Sequence, residues 1–247
     1  MQKYKLSIAY EGTHYAGWQI QDNVTTIQGL IKGSIEKVLK EKITLIGCSR
    51  TDSGVHALNQ VAHFRTEQNF DTKVLFKALN AMLPRDIRIT SLEEAPLDFH
   101  AQLSAKGKIY HYEISQKPFV MPFQRYYTYH CPFLLDYELL IKASQKFVGT
   151  HDFSAFANAA SQGAAKKNPV RTLCRLDVKK TETGIRLEFE GNGFLYKMVR
   201  NITGTLIEVG RGKVHIDEID HIFESKDRRR APRAAKAQGL TLIKILY

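Results

Sequence analysis

Tyr4, Leu6, Ile8 and Tyr10 alternate with polar or small residues, which predicts a strand with one buried face. Thr25 and Gln28 then stand three positions apart, a capping-box spacing that opens a helix with the stripe Ile27, Leu30, Ile31, Ile35, Val38 and Leu39. Ile43 to Cys48 predicts a second strand and Gln60 to Thr66 a third. Asp71 opens a second helix with Val74, Leu75, Ala78, Leu79, Met82 and Leu83 inward. Pro84 stops it for want of a backbone donor, and Ile87 to Leu92 predicts another strand.

That order, β-α-β-β-α-β, is a split βαβ pattern that lays two helices on one face of an antiparallel sheet. The second half reads similarly. Strands are predicted at Lys108 to Ser115, Tyr126 to Cys131, Thr172 to Lys180, Ile185 to Glu190 and Leu240 to Leu246. Helices are predicted at Asp136 to Phe147, Leu195 to Val209 and Asp217 to Ser225. The expected fold class is α/β (α+β): two similar halves with split βαβ (ferredoxin-like, RRM-like) order, helices on one face and a basic cleft between them. The expected boundary gives an N-terminal half 1–105 and a C-terminal half 106–247, since Lys106-Gly107-Lys108 interrupts the periodic pattern. Ala157 to Lys167 is rich in small residues and reads as a mobile loop.

Between the second and third strands stands GCSRTDSGVHA, Gly47 to Ala57. Ser49, Thr51, Asp52, Ser53 and Gly54 are turn formers, so the chain leaves a strand here and reverses sharply. Arg50 and Asp52 lie two positions apart within it. A structural turn with a surface ion pair and a turn that presents a carboxylate to a substrate both fit this spacing.

Charge narrows the partner. The 247 residues carry 36 Lys and Arg against 25 Asp and Glu, a formal charge of +11, which suits a polyanion and nucleic acid first of all. No apolar stretch spans a bilayer and no signal-peptide pattern is seen, so no membrane partner is expected. The three cysteines Cys48, Cys131 and Cys174 are odd in number and widely spread, as free thiols in a reducing compartment are; the expected location is cytoplasmic. There is no Cys-x-x-Cys pair, no familiar metal-ligand spacing among the nine histidines, no Lys-Ser/Thr phosphate loop and no Gly-x-Ser-x-Gly elbow. Zinc deamination, P-loop chemistry and acyl transfer therefore drop out.

Four other features carry two readings each. On the helix from Leu195, the residues Leu195, Met198, Val199, Ile202, Leu206 and Val209 form one stripe and Arg200 falls off it, toward solvent or a cleft. Tyr110 and Tyr112 share one face of a strand, either as core packing or as an exposed platform for nucleobases. The run Lys226 to Lys236, KDRRRAPRAAK, has six basic residues against one acid and reads as a phosphate-contact segment or a solvated loop. Lys166, Lys167 and Arg171 invite the same pair of readings.

Taken together, GCSRTDSGVHA, LDFHAQLSAKGKIYHYEI, FEGNGFLYKMVRNITG and KDRRRAPRAAKAQGL, with YEGTHYAGWQIQ ahead of them, resemble the tRNA pseudouridine synthase A family, in that family's order and over nearly the whole chain. The resemblance implies isomerisation of uridine to pseudouridine at positions 38, 39 and 40 in the anticodon stem-loop of tRNA, with no cofactor and no metal. It implies that Asp52 is the essential nucleophile and that Arg200 of Met-Val-Arg pairs with it. Exclusion of water disfavours a charged carboxylate, and an opposing guanidinium restores it. Tyr110 is then the tyrosine that stacks on the flipped uracil, and Arg50 the group that displaces the base or holds phosphate. A homodimer is implied as well, one tRNA reaching across both subunits. Ile20 and Gln102 stand where the family usually has arginine, and Ser49 and Ser53 replace glycine and alanine. Two readings from other classes remain: a non-catalytic RNA-binding protein, which needs Tyr110 but not Asp52, and a nucleotide glycosylase, which usually needs a second carboxylate.

Overall fold

The computed structural model describes residues 1–158 and 168–247; Lys166, Lys167 and most of the Ala157 to Lys167 loop lie outside the described residues. The fold is mixed α/β, with mostly antiparallel strand pairing. The chain forms two compact units, Met1–Lys106 with Thr241–Tyr247, and Gly107–Leu240.

In the first unit β1 (Gln2–Tyr10) runs antiparallel between β3 (His56–Thr66) and β4 (Ile87–Glu94), with Leu6 opposite Ala62 on one side and Leu92 on the other. Its alternation is realised: Tyr4, Leu6, Ile8 and Tyr10 are all buried. Helices α1 (Ile27–Leu39) and α2 (Thr72–Met82) pack on each other, and α2 packs on β4. Ile27, Ile31, Ile35 and Leu39 bury the face of α1, while α2 buries only Leu75 and Leu79, with Leu83 just beyond. Val74 is 64% exposed and Met82 43%, so the inward stripe of α2 is narrower than its sequence suggests.

The predicted Thr25–Gln28 capping box is not formed. Thr26 is the N-cap, accepting from Gly29 N at 3.3 Å, because the backbone N–H groups of Ile27 and Gln28 are already bonded to the carbonyls of Gly17 and Trp18. The Gln28 carboxamide is used across the fold instead, donating to Leu45 O at 2.8 Å and accepting from Ile20 N at 2.9 Å.

Two strands share the second edge of β3. Only Ile46–Gly47 of the predicted Ile43 to Cys48 strand forms β2, opposite His63 and Ala62. At the other end β10 (Leu240–Leu246) pairs parallel, Thr241 with His56 and Leu242 with Ala57. The final strand thereby belongs to the first unit, where Lys106 N also donates to Leu246 O at 2.8 Å.

The second unit is a sheet in the order β5 (Gly107–Ser115), β9 (Gly184–Gly191), β8 (Val170–Lys180), β7 (Gly149–Asp152), antiparallel throughout. The predicted Tyr126 to Cys131 strand shortens to β6 (Tyr129–His130), parallel to β5, because Met121 to Tyr127 turns back on itself through Gln124 N to Met121 O and Tyr127 N to Gln124 O. Helix α3 (Tyr137–Gln145), capped by Asp136 on Leu139 N, packs on β8 and on α4 (Met198–Gly210). Every residue of α4 except Arg200 and Glu208 is buried. The single stripe predicted for it is a lower bound, since the turn Ser154–Phe156 and the backbone of residues 233–235 cover other sides. A short helix α5 (Glu218–Ser225) brings Phe223 against Phe147, Phe153 and Phe156.

Within the first unit the segment Leu97–Ala101 is tied down by two buried basic residues. Lys3 donates its ammonium to Leu97 O and Phe99 O, and Ala101 N donates to His63 Nδ1 at 3.1 Å. Burial first, then the neighbouring His100, Lys3 and Arg65, lowers the His63 pKa to about 4. The acceptor role of Nδ1 also requires the neutral ring. An unfolded chain takes up this proton below about pH 6.5 and the folded chain only near 4, so the contribution is complete above pH 6.5 and lost as pH falls toward 4. Urea unfolding at pH 7.5 and 4.5 should show the native protein losing on the order of 2 kcal/mol more than His63→Gln over that interval; equal losses would assign the dependence to other groups.

Candidate active site

The turn between β2 and β3 is bonded at nearly every residue. Cys48 N donates to Val61 O at 2.8 Å, and beyond it the ladder is continued by a side chain. The Gln60 carboxamide accepts from Ser49 N at 3.1 Å and donates to Ser49 O at 2.6 Å, standing in for a peptide group of a partner strand. Thr51 O then accepts from Trp18 N at 3.0 Å, and Thr51 Oγ1 lies 2.7 Å from the Tyr10 hydroxyl, whose pKa burial pushes upward. Val55 N closes the reversal on Asp52 O at 3.1 Å, and Ser53 Oγ donates to Tyr15 O at 2.9 Å.

The segment following β1 therefore acts as a cradle for the turn. Its closest approach is at Gly12, where a Cβ would stand 1.9 Å from Val55 O, a distance no other residue tolerates. Gly12 N also donates to His56 Nδ1 at 3.1 Å. With Cys48, Ser49, Thr51, Val55 and His56 buried, Arg50 is left exposed and Asp52 half-buried. Both sequence-predicted residues of the turn thus reach the surface from a fixed backbone. Gln60 and Gly12, which hold it, were not singled out from sequence, and Tyr10 only as a buried position of the first strand. Only Gln60 carried a signal, a polar residue amid the apolar Val61, Ala62 and Phe64 of a strand.

In the second unit Arg200 stands on the first turn of α4. Its Nε donates to Ala235 O at 2.8 Å, and Ala235 N donates to Arg200 O at 2.9 Å. Tyr110 and Tyr112 do not form an exposed platform. Tyr112 is fully buried with its hydroxyl donating to Lys236 O at 2.7 Å, and burial raises its pKa well above the usual value. Tyr110 is 6% exposed, opposite Phe189 in the ladder and edge-on to the Phe194 ring at 5.2 Å. Gly239 stands against the Tyr112 ring and Phe194 against the edge of Tyr110, so the two tyrosines do not share an exposed platform.

The basic run Lys226 to Lys236 divides by environment. Lys226, Arg229, Arg230, Arg233 and Lys236 are exposed. Arg229 chelates Asp227 and, by those hydrogen bonds first, pulls its carboxyl pKa down to about 2. Arg228 is turned inward, donating to Asn201 Oδ1 at 2.8 Å and Ala231 O at 2.7 Å. Arg171 is half-buried and donates to Asn168 O and Val170 O. Among the described residues no group of three or more His, Cys, Asp and Glu is placed to hold a metal ion, and no helix is long and apolar enough to cross a membrane.

A family model described as tRNA pseudouridine synthase matches residues 6–103 and 143–247. The chain belongs to the tRNA pseudouridine synthase A family. Curated relatives include tRNA pseudouridine synthase A 1 of Protochlamydia amoebophila, 52% identical over all of this chain and 97% of that protein. The tRNA pseudouridine synthase A of Acetivibrio thermocellus is 47% identical over the whole of both chains. The enzyme is accordingly an isomerase that converts uridine in tRNA to pseudouridine.

The bracing of the turn is testable apart from catalysis. Gln60→Leu removes the bonds to Ser49 N and O and should lower the urea unfolding free energy by about 2–4 kcal/mol, against less than about 0.5 for the exposed Leu58→Gln. A loss no larger than that of Leu58→Gln would remove Gln60 from the support of the turn.

Proposed function

We propose that the enzyme isomerises uridines at positions 38, 39 and 40 in the anticodon stem-loop, with Asp52 as nucleophile. The observation that carries this reading is a carboxylate at the surface of a turn whose backbone is fixed by Gln60, Trp18, Tyr10 and Gly12. Such a group needs no reorganisation when the substrate arrives. In the reaction the N-glycosidic bond breaks, the uracil turns, C5 bonds to the ribose and the C5 proton leaves, so atoms balance without an oxidant or a water. A positioned carboxylate divides this path by forming a covalent intermediate or by deprotonating the sugar.

Arg200 keeps Asp52 ionised as water is excluded. With its Nε committed to Ala235 O, its guanidinium plane is set. Exposed Arg50 takes the place of the extruded base or grips the neighbouring phosphate. Tyr110, held edge-on by Phe194, stacks against the turned uracil. Ile20 and Gln102 are both exposed, so the loss of arginine there removes two surface cations and leaves backbone contact to groups such as Arg229, Arg230 and Arg233. The enzyme works as a cytoplasmic homodimer, one tRNA contacting both subunits.

With tRNA tritiated at uracil C5, native enzyme should release label and Asp52→Asn almost none, while both bind tRNA equally. Equal release would refute the nucleophile assignment, and free uracil would identify a glycosylase. Arg200→Lys should lower turnover at least about a hundredfold, since an ammonium cannot bond Ala235 O and a carboxylate in one plane; near-native turnover would remove Arg200 from the chemistry.

A further inference from the structure

Arg228 lies in the run that reads as a phosphate contact, yet both of its terminal nitrogens are spent inside the second unit. Nη2 donates to Asn201 Oδ1 at 2.8 Å and Nη1 to Ala231 O at 2.7 Å, while Nε is buried with no hydrogen-bond partner among the described residues. Among the described residues no carboxylate forms an ion pair with it. A half-buried guanidinium without a counter-ion is costly to keep, and it does not face the solvent from which a phosphate would come.

The position of this guanidinium gives it a different task. Asn201 follows Arg200 on α4, is fully buried, and its amide donates to Phe156 O at 2.8 Å and Asn158 Oδ1 at 3.2 Å. Its oxygen holds Arg228, and Arg228 in turn holds Ala231, the start of a stretch of backbone laid across α4. One helical turn beyond Arg200, a Cβ on Gly204 would stand 2.0 Å from Arg233 O, so the stretch touches the helix backbone. Two residues on, Ala235 accepts from Arg200 Nε and donates to Arg200 O. Tyr112 fixes the far end through Lys236 O. The stretch is therefore pinned on either side of the peptide that orients Arg200.

We infer that Arg228 is a positioning residue for Arg200, acting through the backbone of residues 231–235 and the Asn201 amide, and is not a phosphate contact. Without its two bonds the Ala231 end is released, the Ala235 carbonyl shifts, and the Arg200 guanidinium loses its fixed plane. A displacement of about an ångström there costs on the order of a hundredfold in rate. The inference rests on the proposed role of Arg200.

The test compares Arg228→Gln, Arg228→Lys and Arg229→Gln in the full-length enzyme, with tRNA as substrate. Arg228→Gln should lower kcat by about tenfold to a hundredfold, with KM and the Kd for tRNA within about twofold of native. Arg228→Lys, which keeps the charge and one of the two bonds, should be intermediate and serves if the glutamine variant does not fold. Arg229→Gln should instead raise Kd and reduce the salt slope of binding by about one. Placed on Arg200→Lys, Arg228→Gln should cost little more, because the group it positions is already gone. The inference is overturned if Arg228→Gln raises Kd and reduces the salt slope with kcat native, or if the two substitutions multiply in full. If Arg200→Lys is impaired and both Arg228 variants are native, only the role of Arg228 falls; if Arg200→Lys is itself native, both roles fall.

Discussion

Strand β3 has more edge than either of its neighbours on that side can cover. β2 occupies it at His63 and Ala62, β10 at His56 and Ala57, and between them the backbone polar groups must still be satisfied, since a buried orphan costs as much as a lost hydrogen bond. Val61 O is met by Cys48 N and Val61 N by the carboxamide of Gln60, which also reaches from β3 to the backbone of Ser49. The turn that carries Asp52 springs from that gap. Its shape is thus set by a hydrogen-bonding requirement of the sheet before any substrate is present.

The same arrangement explains what the sequence could and could not reveal. Tyr4 to Tyr10, the α1 stripe from Ile27 to Leu39 and the Asp71 cap were legible because period and capping are local properties. The shortening of β2, the return of β10 to the first unit and the burial of α4 on all sides were not, because each depends on residues far away in the chain. The capping box failed for a related reason. Thr25 and Gln28 had the spacing, but Gly17 and Trp18 had already claimed the donors.

At the site, sequence marked the residues that face outward better than those that hold them. Arg50, Asp52 and Arg200 were all placed where a side chain can leave the core, and their types announce chemistry. Their supports are amides, glycines and carbonyls, such as Gln60, Gly12 and Ala235, whose work appears only as distances. For Tyr110 and Tyr112 alternation on β5 left core packing and an exposed platform both open, and burial of both rings, with the Tyr112 hydroxyl on Lys236 O, favours packing.

The parallel pairing of β10 with β3 joins residues 241 and 242 to 56 and 57, across nearly the whole length of the chain. Contacts of such sequence separation form late, because a long loop must close before they contribute anything. β1, β2, β3, β4 and both helices can assemble from contacts within the first hundred residues, whereas the start of β3 at His56 and Ala57 gains its neighbour on the second edge only when that long loop closes. The backbone that leaves the turn of Asp52 is thus completed by a pairing of the slow-forming kind, contributed by a segment far away in the chain.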